Sequence, residues 1–434
     1  MRLPHFLAAL AAALTFAAAA QTGSRLDSDD IYTARNILSR ARDVVLDHYF
    51  PRDKVGPSFE AACTSADAAL GHATDLNEAY TLVAGAIMSV DPRIRFYPPL
   101  RAARADYGWR WRLIGDSAYV TQLDHVGDAV TKGLKLGDKI LSIEGLPLNR
   151  GSYQQLSYLF NTLAPRPGLN VLVQSAGGEP RPLAIAATLR PQRRVRTMGS
   201  LSHFTVERVL TETEKKHLAD FKNIQTHLHR VGDVLIWKAV DLRRRIPDIA
   251  DGLKKAATAR ALILDLRGQY ARRSEPALRL LDGLFATSFV IGTMGRDGAT
   301  DTLRVHGGAG AFKGTVLVLL DSRTACYAEL FARVIQQRQR GVLIGDHTMG
   351  RIFEDRVLAG VMLPRGKVTL ADGTTIDGHG VAPDLLLLPQ PTDLAGQRDV
   401  VLAKALKMLK QTVTPEDAFK ILWIDRDDDE EVDD

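Results

Sequence analysis

The sequence predicts a multidomain α/β protein with a helical N-terminal region, an α+β module and a β-α-β core. Three observations carry that expectation. Apolar residues recur at helical spacing from residue 28 to about residue 89. Between about 103 and 189 the period shortens to that of strands punctuated by glycine turns, and beyond 197 short apolar runs alternate with helical segments. The 434 residues suffice for two or three domains, and 45% hydrophobic with 25% charged content is ordinary for a globular chain.

The N-terminus reads as an export signal. Arg2, the apolar Ala-rich run Phe6–Ala20 and small residues before Gln21 fit that pattern, so residues 1–20 are expected to be a signal peptide and the mature protein exported, periplasmic or extracellular. A membrane anchor is the alternative. No Cys follows the run, so no lipid anchor is expected, and no later run is long enough to give a stable membrane span.

In the helical region, 21–100, Ser28 is the expected N-cap, with Asp29 and Asp30 in the first turn. A second helical stretch, Leu76–Met88, is ended by the prolines of Val90–Pro99. In the module, 103–189, Ala118–Leu123 alternates as a strand. Ile140, Leu141 and Ile143 make another, closed by a turn at Glu144–Gly145. Tyr153–Leu163 is expected as helix, and Gly168–Gln174 with Pro182–Ala186 as a hairpin around Gly177–Gly178. A basic linker, Arg190–Arg196, leads to the core, 197–412.

There Asp233–Trp237, Ala261–Asp265, Thr315–Leu320 and Val342–Gly345 read as strands. Ile246–Ala257, Pro276–Phe285 and Tyr327–Gln339 read as helices, which is the alternation of a largely parallel sheet. Residues 413–434 form an acidic tail, expected to be disordered; the net charge of +5 combines −7 in Asp425–Asp434 with +12 elsewhere. The clusters Arg190, Arg193, Arg194, Arg196 and Arg243–Arg245 lack interleaved aromatics and read as solvated, so no nucleic-acid partner is expected. The two cysteines, Cys63 and Cys326, could pair in an oxidising compartment. No Cys/His spacing suggests a metal, and no cofactor is expected.

The stretch GDAVTKGLKLGDKILSIEG, Gly127–Gly145, resembles a PDZ domain of the bacterial protease type. That resemblance implies peptide binding by strand addition, with Leu113, Ile114 and Tyr119 as the peptide-binding positions. Four further motifs follow in order: SVDPRIRFYPP, RALILDLRGQ, GVLIGDHTMGR and LADGTTIDGHGVAPDLLL. With the PDZ pattern they resemble the C-terminal processing, or tail-specific, protease family. The resemblance implies an exported serine endopeptidase with helical N-terminal region, inserted PDZ domain and crotonase-like (ClpP/crotonase-type) core. Its ligand would be a polypeptide C-terminus or extended peptide.

The sequence departs from that family where the chemistry lies. Cys326 stands three residues before Glu329, where the resemblance implies a nucleophilic Ser. Arg351 takes the place of the Lys base after Thr-x-Gly, and Asp355 that of a Gln used by some members. Gln269, Tyr270, Ala271 and Arg272 replace an Asn and a Gly pair that shape the oxyanion hole.

Arg cannot accept a proton, since its pKa exceeds about 12, so a Ser with Arg would be inert. A thiol has a reference pKa of about 8.5 and beside a cation can ionise without a base. Arg351 would then support the charge, and His347 is the nearby acid for the leaving amine. Backbone donors around Ala271, Arg272 and Tyr327 would hold the oxyanion. Against this, Ala271–Arg272 narrows an approach that glycines leave open, and losing one such donor costs about 10²–10³ in rate. Three readings stand open: a degenerate site in a peptide-binding adaptor or scaffold, a Cys-dependent peptidase or acyl-transfer enzyme, and a disulfide partner or plain buried thiol. Asp265 and Arg267 read as braces of the sheet edge and His379 as structural. A homo-oligomer, or a regulatory role beside an active paralogue, stays open.

Overall fold

A computed structural model describes residues 26–49, 55–99, 103–191, 227–238, 246–271, 273–296, 299–352, 355–364 and 366–422. The expected signal peptide, the basic residues Arg193, Arg194, Arg196 and Arg243–Arg245, Arg272, and the acids Asp425–Asp434 lie outside them. The chain divides into two compact units. The first is Met1–Lys215 with Gly295–Ala299 and Glu354–Lys367; the second is Lys216–Met294 with Thr300–Phe353 and Val368–Asp434. No helix of the described residues is long and apolar enough to cross a membrane.

The first unit opens with three helices, α1 (Ser28–His48), α2 (Pro57–Leu70) and α3 (Leu76–Met88). Asp27, not Ser28, caps α1. Its carboxylate accepts the Asp30 N–H at 2.8 Å, and the Asp30 carboxylate accepts the Asp27 N–H at 3.4 Å. The reciprocal cap needs an acceptor side chain three residues on, which Asp27 has in Asp30 and Ser28 lacks in Ile31. After α3 the buried Asp91 carboxylate accepts the Tyr49 hydroxyl at 2.7 Å and the Arg93 guanidinium at 2.6 Å, fixing the turn that ends the helical region. Arg95–Phe96 then pairs antiparallel with Val361–Met362, so a segment within the stretch read as core belongs to this unit.

Besides the pair Ala103–Asp106 with Thr188–Pro191, the first unit carries an antiparallel sheet, to which Leu146–Pro147 adds a short sixth strand beside Lys139–Ile143. Its other strands are β1 (Trp109–Ile114), β2 (Ser117–Leu123), β3 (Lys139–Ile143), β4 (Gly168–Gln174) and β5 (Arg181–Ala186), in that spatial order. On β1, Trp109, Trp111 and Leu113 are buried while Arg110, Arg112 and Ile114 are half-buried, the alternation of a strand with one covered face. The short helix α4 (Tyr153–Tyr158) follows β3, and the expected helix continues to Leu163 as a π-helical turn.

The second unit is built on a six-stranded sheet. β6 (His227–Val231) is antiparallel at one edge. It is followed by the parallel strands β7 (Val234–Lys238) and β8 (Ala261–Asp265). A two-residue strand, β9 (Tyr270–Ala271), lies apart from this sheet. The parallel run continues with β10 (Thr315–Leu320), while β11 (Ala325–Cys326) pairs with β9. β12 (Val342–Gly345) and β13 (Leu385–Leu386) complete it.

Successive residues of the central strands enter opposite cores, which is why they read as unbroken apolar runs. Leu262, Leu264, Val316 and Val318 join the core formed with α5 (Ile246–Ala256), α6 (Ser274–Asp282) and α7 (Tyr327–Gln337). Ala261, Ile263, Leu317 and Leu319 join the other, formed with α8 (Val400–Met408) and α9 (Pro415–Leu422). Helix α9 corrects the expectation of a disordered tail from residue 413. Ala418 is fully buried in that second core, and burial of an apolar face outweighs the acidic composition. Arg267 braces the sheet as expected. It donates to the buried Asp265 carboxylate at 2.9 Å and to Asp399, the N-cap of α8, at 2.7 Å. Burial alone would raise the Asp265 carboxyl, but the charge and bonds of Arg267 hold it at about 2.

Candidate active site

Three loops leave the carboxyl ends of β8, β10 and β12 and meet, at the end of a parallel sheet where ligand sites form. The loop after β8 is tied to the loop after β10. Gly268 N–H donates to Asp321 Oδ1 at 2.8 Å, the Thr324 hydroxyl to the Leu266 carbonyl at 2.9 Å, and Ala325 N–H to the Gln269 carbonyl at 2.8 Å. These bonds lay β9 parallel to β11 and set Ala271 opposite Cys326.

Cys326 is the N-cap of α7, at the strand-to-helix junction read from the sequence. Its backbone sits at φ 57°, ψ −129°, a conformation that costs a side-chain-bearing residue about 1–3 kcal/mol and persists where the surroundings impose it. Those surroundings are specific. Its N–H donates to the Arg351 carbonyl at 2.8 Å and to Glu329 Oε2 at 3.1 Å. The residue is 1% exposed. A sulfur at a helix N-terminus lies in the partial positive charge of the first-turn N–H groups.

Glu329 organises this centre, and sequence reasoning used it only as a landmark. Its fully buried carboxylate accepts Gly350 N–H at 2.7 Å, Arg351 N–H at 2.9 Å, Cys326 N–H at 3.1 Å and the Thr348 hydroxyl. Burial pushes the Glu329 carboxyl up to about 7, with the four donors pulling the other way. The available signal was its setting: Tyr327, Ala328, Leu330 and Phe331 are apolar on every side of it, so a carboxylate there has to find donors.

The loop Asp346–Arg351 is held in turn. Met349 N–H donates to the Thr324 carbonyl at 2.9 Å, Val381 N–H to the Thr348 hydroxyl at 2.7 Å, and Gly378 N–H to the Gly350 carbonyl at 2.7 Å. Gly350 is at φ 73°, and a Cβ there would stand 2.9 Å from the Gly380 nitrogen and 3.0 Å from that of His379. The sequence motifs around Gly350 and Gly380 are therefore two interlocked loops. His379 is part of that interlock, its N–H donating to the Ile376 carbonyl at 3.2 Å.

The other candidates are placed as follows. Tyr327 is the first residue of α7 and buried, and Ala271 is fully buried. The Arg351 guanidinium carbon lies 5.4 Å from the centre of the Tyr270 ring, a cation–π contact. His347 is 45% exposed in its side chain, with Nδ1 3.8 Å from Asp346 Oδ1. Asp355 opens the strand Asp355–Leu358 in the first unit; its side chain and all of Arg272 lie outside the described residues. Cys63, in the first unit, and Cys326, in the second, are both free, buried thiols. Among the described residues, no group of three or more His, Cys, Asp or Glu could hold a metal ion. In the first unit, Leu113 is buried and Ile114 half-buried on β1, and the half-buried Tyr119 on β2 lies opposite Arg112 and Lys139.

Residues 234–387, from β7 to β13, match the model of peptidase family S41. The chain carries an S41 peptidase domain. It is 25% identical over 279 residues to the chloroplastic carboxyl-terminal-processing peptidase 1 of Arabidopsis thaliana. That alignment covers 62% of this chain and 51% of the relative, so the chain spans about half the length of the curated relative it matches. Beyond the S41 domain, the fold resembles that of mature CPAF complexed with lactacystin, with a TM-score of 0.58 at 12% identity over 84% of this chain and 95% of that one. A second structure of mature CPAF gives a TM-score of 0.57 at 12% identity, covering 84% and 94%.

Proposed function

We propose that this protein binds polypeptide C-termini or extended peptides as an exported S41-type protein and does not cleave them. The PDZ-like module, 103–189, would take the ligand, the crotonase-like core, 197–412, would present the Cys326 centre, and the helical region, 21–100, would precede both. One observation carries the reading. The residue whose backbone carbonyl meets the Cys326 N–H is Arg351, and a guanidinium cannot take a proton from a nucleophile or return one to a leaving amine. A 1% exposed thiol supports the same conclusion.

The test is incubation of the mature protein with a pool of random dodecapeptides bearing free carboxyl ends, read by mass spectrometry and by retention on immobilised protein. Retention without new fragments, unchanged in Cys326→Ala, is expected. New fragments that vanish in Cys326→Ala overturn the non-catalytic reading. A second reading, a Cys-dependent peptidase or acyl-transfer enzyme, is favoured by one feature: the strained elbow at φ 57° holds Sγ at the N-terminus of α7. It requires Cys326 to alkylate rapidly with a pKa well below the reference value of about 8.5.

A further inference from the structure

Strand β1 ends the antiparallel sheet of the first unit: β2 pairs with one side of it, and no strand of the described residues pairs with the other. The hairpin register says which main-chain groups face that open side. Ile114 and Ser117 close a two-residue turn, so Ile114 and then Arg112 are in hydrogen-bonded pairs with β2. Leu113 and Trp111 fall between them and turn their N–H and C=O outward. The residue opposite Trp111 confirms the phase, because Val120 N–H donates away from β1 to the Asp138 carbonyl at 2.9 Å. A strand joining this edge has to bond the Trp111 carbonyl.

That carbonyl is already engaged. Tyr153, the first residue of α4, donates its hydroxyl to the Trp111 oxygen at 3.2 Å. The start of α4 is anchored beside the hairpin by Arg150, whose Nε donates to the Gly115 carbonyl at 3.1 Å, and by a bridge between Ser117 and Asn149. Tyr153 is therefore held over the edge.

We propose that Tyr153 is a gate on the peptide edge: an incoming extended polypeptide displaces its hydroxyl from the Trp111 carbonyl before it can pair with β1. The proposal rests on the peptide-binding reading above. It adds to binding the cost of breaking this hydroxyl's bond, and it places that cost at a named atom. Tyr153→Phe keeps the ring and removes the hydroxyl that donates to Trp111.

The experiment compares wild type and Tyr153→Phe with the same dodecapeptide pool, reading retained peptide and hydrogen exchange along β1. Tyr153→Phe is expected to retain peptides about five-fold more tightly, the value of one neutral hydrogen bond. Peptide should also slow exchange at the Trp111 and Leu113 amides in both proteins. Equal or weaker retention by Tyr153→Phe overturns the gate, as does peptide protection that falls outside β1 while binding persists; in both cases peptide binding itself survives. No retention by either protein overturns the peptide-binding reading and the gate with it. Tyr153→Ala serves as the control for packing, since a gain there without a gain in Tyr153→Phe assigns the effect to the ring and sinks the proposal.

Discussion

The edge of β1 and the Cys326 centre handle their main-chain hydrogen bonds in opposite ways. At β1 the sheet stops, and one phenol hydroxyl covers the Trp111 carbonyl. At Cys326 two further segments converge, and the N–H groups of Cys326, Gly350 and Arg351 all end on one buried carboxylate. The first arrangement can exchange an internal partner for an external strand at the cost of one weak bond. The second has no such exchange, because freeing any of its donors leaves the fully buried Glu329 carboxyl less satisfied. A binding surface and a rigid internal knot can thus be told apart by where their hydrogen bonds go, before any ligand is known.

The largest test of that contrast is Glu329→Ala. The Gly350 and Arg351 N–H groups and the Thr348 hydroxyl lose their acceptor inside the protein, the Cys326 N–H keeps only the Arg351 carbonyl, and the expected loss is about 3–5 kcal/mol, measured by chemical denaturation. A loss below about 1 kcal/mol, the size of a single exposed bond, would show that the knot is not what holds these loops. Thr348→Val comes next. It removes a donor to Glu329 and the acceptor of Val381 N–H, at an expected cost of about 1–3 kcal/mol.

The pH dependence gives the third test, and its sign follows from the direction of the Glu329 shift. The folded carboxyl is raised to about 7, above a reference near 4.3, so between these values the folded state binds the proton and the unfolded state does not. Glu329 then contributes stability that is fully present below the unfolded value and is lost as pH rises through about 7. Denaturation midpoints taken from pH 4 to 8 should show a falling contribution that disappears in Glu329→Gln. A wild-type and variant pair with parallel profiles would mean that the four donors hold the carboxylate ionised throughout.

Much of this was legible in the sequence because the relevant signals are local. Leu76–Met88, Ala261–Asp265, Thr315–Leu320 and Val342–Gly345 have the bounds that their apolar runs marked, and Cys326 stands at the predicted junction. What was illegible depends on partners distant in the chain. Glu329 meets Gly350 and Arg351 only after two strands have been laid side by side, so its charge looked like a helix-start feature. The pairing of Arg95–Phe96 with Val361–Met362 joins segments more than two hundred residues apart, and no local pattern announces it. The Asp27 cap was a near miss of one residue, decided by a side chain three positions on.

The smallest expected effect is the most discriminating. In the absence of ligand, Tyr153→Phe should cost about 1 kcal/mol or less, since it removes one neutral bond at a half-buried edge and leaves the ring packed. Hydrogen exchange should quicken at Trp111 and Leu113 and stay unchanged in α7 and the loop Asp346–Arg351. A larger loss, or one that spreads to the other strands of the sheet, would make Tyr153 a structural tie of the same kind as Glu329. The edge and the centre would then differ in degree only, and a gate would be the wrong description of that hydroxyl. A small, local effect keeps them distinct: one site whose internal bond is weak enough for a ligand to replace, and one whose bonds are too many and too buried to release.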